Sequence, residues 1–323
     1  MDVAVRRYEE QDAEAWDALV AESWNGTFLH QRRFLYHADR FRDLSLVIED
    51  EQKRIVGVFP AALDPADEDV VSSHPGLTYG GVVHTGFLKG AAMLEALRAI
   101  SRAYRAAGLR SLRYKAIPHI YHGVPSNDDL YALFRLGAVR YRCDLSAAID
   151  LTLPRQLSKL RRRELNKARR SGVRIEVGPR YFEPFWAILE ENLATRHDAR
   201  PVHALEEIDL LQRRFPEEVK CVVGTLSDEV VAGIVLFHTP LVVHAQYIAS
   251  TAAGNTASAL TAAMDYAINK GSDHWGARYF DFGISNESEG KVLNEGLYRF
   301  KTSFGAGGVV HEFYELELRH GSD

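Results

Sequence analysis

The amino-acid sequence predicts an α/β protein of two domains, each built around a mixed β-sheet. The chain has 323 residues, and globular domains commonly hold about 150 residues, so two domains are expected. The same order of helix, strand and glycine signals also occurs twice along the chain. This repeat places one domain at residues 1–150 and the other at residues 151–323.

Composition and charge are those of an ordinary globular protein. Hydrophobic residues make up 46% of the chain and charged residues 26%. The formal net charge of −5 argues against nucleic-acid binding by the chain as a whole, although a local basic patch is compatible with it. No run approaches the roughly 20 apolar residues of a membrane span, and the charged stretch from Met1 to Trp16 lacks the apolar core of a signal peptide. We therefore expect a cytoplasmic protein without membrane insertion.

The chain contains two cysteines, Cys143 and Cys221, each in an apolar, strand-like context. Neither belongs to a Cys-x-x-Cys pair or to a Cys/His spacing that suits a metal. We expect both to be buried thiols and expect no bound metal.

Each half opens with a short amphipathic helix and continues with a β-hairpin. The apolar residues of these helices recur every three or four positions, which places them on one face; they are Trp16, Leu19 and Val20, then Phe185, Trp186, Leu189 and Leu193. β-Branched runs on both sides of a polar turn predict the hairpins. They comprise residues 46–48 and 55–59 around a turn at 51–53, and residues 221–223 and 230–235 around a turn at 227–229.

A strand, a glycine-bearing loop, a helix and a second strand follow in each half. The first set is a strand over 78–83, a loop with Gly86 and Gly90, a helix over 91–107 and a strand over 111–116. The second set is a strand over 241–249, a loop with Gly254, a helix over 256–270 and a strand over 278–282. We expect Gly108 and Gly271 to end the two helices. This order is similar to the core of the GNAT acetyltransferase fold, so the chain is predicted to be a tandem GNAT protein. A generic α/β protein with ordinary hairpins is the alternative.

A basic helix is predicted between the halves, over residues 156–171, with Gly172 closing it. Its seven cations are Lys159, Arg161, Arg162, Arg163, Lys167, Arg169 and Arg170. Glu164 alone offsets them, in a chain that is acidic overall. Such a concentration favours a phosphate-bearing ligand, and a solvated charged face is the alternative.

Two charged residues near the C-terminus are candidates for chemistry. Asp281 lies between two phenylalanines on a predicted core strand, where a carboxylate needs partners because an unpaired buried charge is costly. It is either a structural residue or a group that orients or deprotonates an amine. Lys301 follows an aromatic pair and precedes a glycine turn. It is either an ordinary exposed lysine or a fixed cation that stabilises the oxyanion of acyl transfer.

The strand from His244 to Ser250 carries polar side chains within an otherwise apolar sheet. Strict alternation predicts that His244 and Gln246 point to one face and Tyr247 to the other. In GNAT proteins this strand separates from its neighbour and leaves a cleft for the amide arm of the acyl donor. For His244 alone, a hydrogen-bonded core histidine is the alternative.

Two segments resemble the FemAB/FemX-like proteins and the related BioF2-like acetyltransferase domains. The first is KLRRRELNKARRSGV, residues 159–173, and the second is Phe-Asp-Phe-Gly at 280–283 together with Lys301-x-x-Phe304-Gly305. The resemblance covers nearly the whole chain and is most specific in the second half. It implies a tandem GNAT fold and transfer of an acyl or aminoacyl group to an amine. It also implies that Lys301 lies near the reacting carbonyl and that an arginine of the basic helix contacts a diphosphate of the acceptor.

The resemblance leaves the donor open. FemX-type members use aminoacyl-tRNA, whereas BioF2-like relatives are thought to use acyl-CoA. The chain lacks the coiled-coil insertion of some Fem enzymes, and residues 248–258 lack the pyrophosphate signature of ordinary GNAT enzymes. In that loop only Gly254, Asn255 and the predicted helix start at Thr256 offer amides to a phosphate.

We therefore expect an N-acyltransferase that uses acyl-CoA and has no permanently bound cofactor. The expected acceptor is an amine such as an amino sugar or an amino-acid derivative, and it is compatible with a phosphate- or nucleotide-linked form. An aminoacyl-tRNA-dependent enzyme and a non-catalytic ligand-binding module are the alternatives. The expected catalytic residues are Lys301 and Asp281. The expected donor-binding residues are Gln246, Tyr247, Ala249, Gly254 and Asn255, and the expected acceptor-binding residues are Arg162, Arg169, His244, Asn286 and Glu295.

Overall fold

The structure, a computed structural model, describes residues 3–35, 40–197 and 201–318. The chain divides into two compact units. The N-terminal unit holds Met1–Leu145, Asn286–Val292 and Val310–Asp323, and the C-terminal unit holds Ser146–Ser285 and Leu293–Val309. The last segment of the chain therefore belongs to the N-terminal unit.

The helices are short to medium in length. They are α1 (Ala13–Glu22), α2 (Arg32–Leu35), α3 (Ala91–Ala106), α4 (Asp128–Arg135), α5 (Lys159–Arg170), α6 (Phe182–His197), α7 (Leu205–Arg214), α8 (Ala252–Ala257), α9 (Ala259–Asp273) and α10 (Glu295–Thr302). Single-turn 3₁₀ segments occur at Glu10–Asp12, Phe28–His30, His119–Tyr121 and Pro179–Tyr181.

The strands are β1 (Ala4–Arg7), β2 (Leu46–Glu49), β3 (Ile55–Phe59), β4 (Ala62–Asp64), β5 (Asp67–Ser72), β6 (Val83–His84), β7 (Ser111–Lys115), β8 (Val139–Asp150), β9 (Arg174–Val177), β10 (Val219–Leu226), β11 (Glu229–His238), β12 (Val242–Ser250), β13 (Tyr279–Ile284), β14 (Asn286–Glu287), β15 (Val292–Leu293) and β16 (Gly307–Glu317). Both predicted hairpins are confirmed, as β2 with β3 and β10 with β11. In the second hairpin Ser227 and Asp228 both have positive φ, which is the geometry of a type I′ turn.

The N-terminal unit contains a four-stranded sheet in the order β1-β2-β3-β6 and a second group of strands. In that group β5 pairs parallel with β7, and β7 pairs antiparallel with β16. The predicted apolar stripe of α3 is fully buried; its members are Met93, Leu97, Ile100 and Tyr104. Gly108 ends α3 with φ of 86°, as predicted.

The predicted repeat is incomplete in this unit. Of the strand expected over 78–83, only Val83 lies in a strand. The amides of Gly80 and Val82 bond instead to the Lys115 carbonyl and the Tyr114 hydroxyl, so this stretch follows an irregular path. The strand after the helix, β7, also joins β5 and β16 rather than β6.

The C-terminal unit is built on strands in the order β8-β13-β12-β11-β10-β9, with residues 146–150 of β8 belonging to it. Helix α9 covers one face, where Ala263 and Met264 join a core with Phe280 and Phe282. Helix α6 covers the other face, where Phe185 packs against Gly233 of β11. The central sheet and its two covering helices together position the candidate site described below.

Two helix predictions in the C-terminal unit are wrong. The helix expected over 256–270 begins earlier and is broken into α8 and α9 at Ser258, whose φ of 61° is left-handed. The expected glycine loop is therefore helical. Gly271 does not end α9, which continues to Asp273. It lies close to β12, since an ideal Cβ at this position would be 3.3 Å from Leu151 Cδ1 and 3.5 Å from Val243 Cγ2.

The two thiols differ in burial. Cys221 is buried, as predicted, and burial raises the pKa of its thiol. Cys143 is only half-buried, so the prediction of a buried thiol is wrong there. It lies in β8 before the stretch of that strand that enters the core.

We predict that Gly254→Ala destabilises the protein. A Cβ at Gly254 would lie 2.2 Å from the Val231 carbonyl oxygen and 2.6 Å from Ser250 Oγ. Because backbone must move to relieve this contact, urea denaturation should show a loss of about 1–3 kcal/mol in the free energy of unfolding. Gly296→Ala is the control, since its nearest neighbour would be Asn294 Oδ1 at 3.6 Å. Equal losses in both variants would contradict the assignment of Gly254 as a packing residue.

Candidate active site

The central feature of the C-terminal unit is the point where β12 and β13 separate. The two parallel strands pair from Val242 with Tyr279 to His244 with Asp281. Beyond that position β12 continues to Ser250 and β13 to Ile284, and no ladder pair joins them in the described part of the chain. The strands therefore leave a gap that starts beside His244 and Asp281.

A β-bulge in β12 lies at the start of this gap. Tyr247 pairs with Val235 and Ala245 with Leu236, so Gln246 is an extra residue on β12. The bulge breaks the alternation, and Tyr247 consequently lies on the α6 face, with its ring 5.1 Å from that of Trp186. His244 lies on the same face, because its neighbours Val243 and Ala245 belong to the α9 core. The prediction that Tyr247 and His244 lie on opposite faces is wrong for this reason.

Asp281 is the most buried charged group of the site, with 0% exposure. Its carboxylate accepts hydrogen bonds from the Ser146 hydroxyl, from His244 Nδ1 at 2.8 Å and from the Gly283 amide at 3.1 Å. These donors come from β8, β12 and β13. They compensate the cost of placing a carboxylate inside the sheet.

Lys301 lies in the last turn of α10 and is only 3% exposed. Its ammonium donates to the carbonyl oxygens of Gly283 at 2.8 Å and Ile284 at 2.6 Å. Burial lowers the pKa of Lys301 to about 8, and the negative charge of Asp281 acts in the opposite direction. The ammonium is thus fixed against the part of β13 that lies beyond the separation point.

The remaining predicted donor residues have varied surroundings. The Tyr247 hydroxyl lies 2.6 Å from Nδ1 of His203, and the buried Oε1 of Gln246 has no hydrogen-bond partner in the described part of the chain. Ala249 is buried opposite Gly233. The amides of Gly254 and Asn255 bond to the side chain and the carbonyl of Thr251, which caps α8. The structure therefore does not present these two amides as an open phosphate loop.

The basic helix α5 has one buried arginine among exposed cations. Arg161 donates to Ser303 Oγ at 2.7 Å and to Glu164 and Thr261, and its guanidinium lies 4.4 Å from the Phe300 ring centroid. Arg161 thereby fixes the start of α5 beside the end of α10. Arg162 and Arg169, the two residues predicted to bind acceptor, are exposed.

Arg169 lines a groove of about 410 Å³ between α5 and α9, together with Tyr266, Lys270 and His274. Since α9 covers the face opposite His244, the structure does not bring Arg169 and His244 together.

The last two predicted acceptor residues lie near the ends of β13 and α10. Asn286 accepts from the Leu145 amide at 2.5 Å and donates to the Gly290 carbonyl at 3.3 Å, so its side chain holds a turn. Glu295 is exposed in the first turn of α10 and lies 3.9 Å from Arg299.

Sequence patterns did not reveal Ser146 or His203. Ser146 is a single hydroxyl within a β8 sequence that offers no motif, and His203 follows a segment without apolar periodicity. Only the strand order places Ser146 beside Asp281, and the contact of His203 with Tyr247 joins residues 44 positions apart.

Comparisons with known proteins bear on the fold that carries this site. Residues 155–302 match the family model described as an acetyltransferase (GNAT) domain. The crystal structure of FemX is similar over 98% of this chain and 97% of its own, with a TM-score of 0.68 and 12% identity. The chain has the FemX-like tandem GNAT fold.

Two further structures share this tandem fold. The C-terminal domain of a putative lysylphosphatidylglycerol synthetase from Agrobacterium fabrum has a TM-score of 0.63 and 14% identity, over 95% of this chain and 92% of that one. A tandem GNAT protein from the clavulanic acid biosynthesis pathway has a TM-score of 0.51 and 12% identity, with both chains fully covered. A sequence search among characterised proteins finds no match.

The similar structures confirm the predicted tandem GNAT fold. The match of residues 155–302 to an acetyltransferase domain agrees with the predicted acyltransferase class. In the described residues, no helix is both long and apolar enough to cross a membrane. The same part of the chain contains no group of three or more His, Cys, Asp or Glu side chains arranged to hold a metal ion.

We predict that Lys301 makes the free energy of unfolding depend on pH in the alkaline range. Its folded-state pKa of about 8 lies below the ordinary value of 10.5, so the unfolded chain binds more protons between these values. Stability therefore rises with pH in this window. Lys301→Met should remove this rise. The unfolding free energy of wild type relative to the variant should therefore increase by about 3 kcal/mol between pH 8 and 10.5.

The measurement is urea denaturation at several pH values, with Lys291→Met, at an exposed position, as the control. Parallel pH profiles for wild type and Lys301→Met would show that Lys301 is not buried as a charged group.

Proposed function

We propose that this protein is an N-acyltransferase that moves an acyl group from a small activated donor, acyl-CoA, to an amine. The observation that carries the proposal is the gap between β12 and β13, which opens beside His244 and Asp281 and has the Lys301 ammonium bound to its β13 side. A gap between two strands exposes backbone groups that an extended donor arm can bind as an added strand.

The chemical part of the proposal rests on fixed charges. Attack of an amine on a thioester carbonyl develops negative charge on the carbonyl oxygen. A buried, oriented ammonium stabilises such a charge more strongly than a solvated one does. Lys301, with two of its three N–H groups bonded to carbonyls, retains one donor for this purpose. The strand gap would hold donor and acceptor in the orientation that the reaction needs.

Transfer of an aminoacyl group from tRNA is the second candidate. One observation favours it: the amides of Gly254 and Asn255 are bonded within α8, so the usual phosphate loop for CoA is closed. Against it stand the net charge of −5 and the confinement of the dense cation cluster to α5, since a tRNA body requires phosphate contacts spread over a surface.

The proposed acceptor carries phosphate, which the exposed cations of α5 bind. The start of α5 is joined to the end of α10, because the Ser158 amide donates to the Ser303 carbonyl and Arg161 to the Ser303 hydroxyl. Arg162 therefore lies at the end of α5 that is closest in the structure to the helix of Lys301. Arg169 would make a more distant contact in the groove beside α9.

We predict acyl transfer from one of the two donors and its loss in Lys301→Ala. Purified protein is incubated with pooled acyl-CoAs and amine acceptors, and free thiol is measured. Lys301→Ala should lower the maximal rate by about 100-fold or more, as for the loss of one oxyanion donor. Lys291→Ala is the control.

A parallel reaction uses a lysate with and without ribonuclease. Product formation that stops after RNA digestion, and resumes with aminoacyl-tRNA but not with acyl-CoA, would replace the acyl-CoA donor by the second candidate. No turnover with either donor would indicate a ligand-binding module instead of an enzyme.

We predict that α5 binds phosphate through Arg162 and Arg169. Inorganic pyrophosphate is the probe, and isothermal titration at 50 and 200 mM salt is the measurement. Because a hydrogen bond to a charged group is worth about 1.5–3 kcal/mol, the double variant Arg162→Ala/Arg169→Ala should weaken binding by tenfold or more. Wild-type affinity should fall with salt. If neither the double substitution nor the added salt changes the affinity for pyrophosphate, α5 is a solvated charged face.

A further inference from the structure

We propose that His244 is the group that accepts the proton of the attacking amine, through Nε2, while Asp281 and Ser146 are positioning residues. This inference rests on the proposed acyl transfer. It reverses the roles expected from the sequence, in which Asp281 was the candidate base and His244 a binding residue.

Burial separates the two roles. Asp281 has 0% exposure and His244 has 8%, so the imidazole is the member of the pair that a substrate can reach. All the hydrogen bonds shown for the carboxylate come from donors of the protein. A carboxylate held in this way orients its partner and does not itself touch the acceptor.

The tautomer of His244 follows from the same contacts. An ionised carboxylate only accepts hydrogen bonds, so Nδ1 carries the proton that it shares with Asp281 over 2.8 Å. The lone pair of the neutral ring is then on Nε2. A neutral imidazole with a fixed Nδ1–H and a basic Nε2 is the form that general-base catalysis requires.

Gly283 lies beside the Cε1–Nε2 edge of the His244 ring. An ideal Cβ at Gly283 would lie 3.4 Å from His244 Cε1 and 3.9 Å from Nε2, so this edge of the ring faces a residue without a side chain. Gly283 has φ of 76°, which favours glycine there. Its amide donates to Asp281 and its carbonyl accepts from Lys301. One glycine thus joins the carboxylate, the imidazole edge and the ammonium at the strand gap.

Ser146 completes the support from the third strand. Its hydroxyl donates to Oδ1 of Asp281, and the Gly283 amide donates to the same oxygen. The other oxygen, Oδ2, lies 2.8 Å from His244 Nδ1. Donors from β8 and β13 therefore orient the carboxylate toward the ring on β12.

In the proposed transfer the amine proton passes through His244. The amine nitrogen forms a bond to the acyl carbon, and its proton moves to His244 Nε2. The bond from the acyl carbon to the sulfur or oxygen of the carrier then breaks, and the imidazolium returns the proton to the departing group. Lys301 stabilises the oxyanion in between and keeps its own protons. The products are an amide and the free carrier.

Two variants test whether Asp281 and Ser146 position His244. The readout is the tautomer of the His244 ring, which can be measured without substrate. In protein with ¹⁵N-labelled histidine, NMR of wild type should show a neutral His244 ring protonated on Nδ1. Asp281→Asn should shift the proton toward Nε2, because the amide can donate to Nδ1. Ser146→Ala keeps the carboxylate and should leave the tautomer unchanged. A wild-type ring protonated on Nε2 would overturn the proposal whether or not any transfer activity is found.

Kinetics then test the role in transfer, with the donor that supports turnover. His244→Gln should lower kcat by about 10²–10⁴-fold, and Ser146→Ala should lower kcat less. His119→Gln, at an exposed position, is the control. Thermal unfolding of each variant separates loss of fold from loss of function. A folded His244→Gln variant with wild-type kcat would overturn the proposal while leaving the acyltransferase assignment intact.

Discussion

Burial of the Asp281 carboxylate is the constraint on which the rest of the C-terminal unit depends. A charge inside a sheet is tolerated only with several donors aimed at it. Those donors come from three strands, so β8, β13 and β12 must lie side by side in one register. The strand order that a GNAT fold provides satisfies this requirement. The same arrangement aligns the imidazole of His244 and leaves the carboxylate out of reach of solvent.

The separation of β12 from β13 opens a gap beside this buried network and makes it a candidate site. Beyond His244 the bulge at Gln246 redirects β12, and the two carbonyls at the end of β13 bond to Lys301. A sheet that continued without a break would satisfy its backbone internally and offer nothing to a ligand. Here the fold gives up ladder pairs at one position, and the ammonium of Lys301 replaces part of the lost hydrogen bonding.

Local patterns in the sequence were sufficient for the hairpins, for the stripe of α3 and for the basic helix, because each depends on neighbours along the chain. Asp281 and Lys301 were chosen as candidates from their aromatic neighbours in the sequence, and both are buried in the structure. The bulge in β12 was not predictable from the sequence, since it depends on pairing with β11. It places the Tyr247 side chain on the same face of the sheet as His244. The contact of Ser146 with Asp281 joins residues 135 positions apart and leaves no local signal. Gly254 was assigned to a loop because a glycine's packing against Val231 is invisible in sequence.

The central claim is that the acyl carbonyl lies between His244 and Lys301 when the donor is bound. The most direct measurement is peptide mapping by mass spectrometry after reaction with an α-haloacetyl donor, carried on CoA and, in a second reaction, on tRNA. Alkylation places a stable mark on the nucleophile nearest the acyl group. We expect an adduct on His244 Nε2 that is lost in His244→Gln. Adducts confined to Cys143, Cys221 or the α5–α9 groove, with His244 unmodified for both carriers, would contradict it.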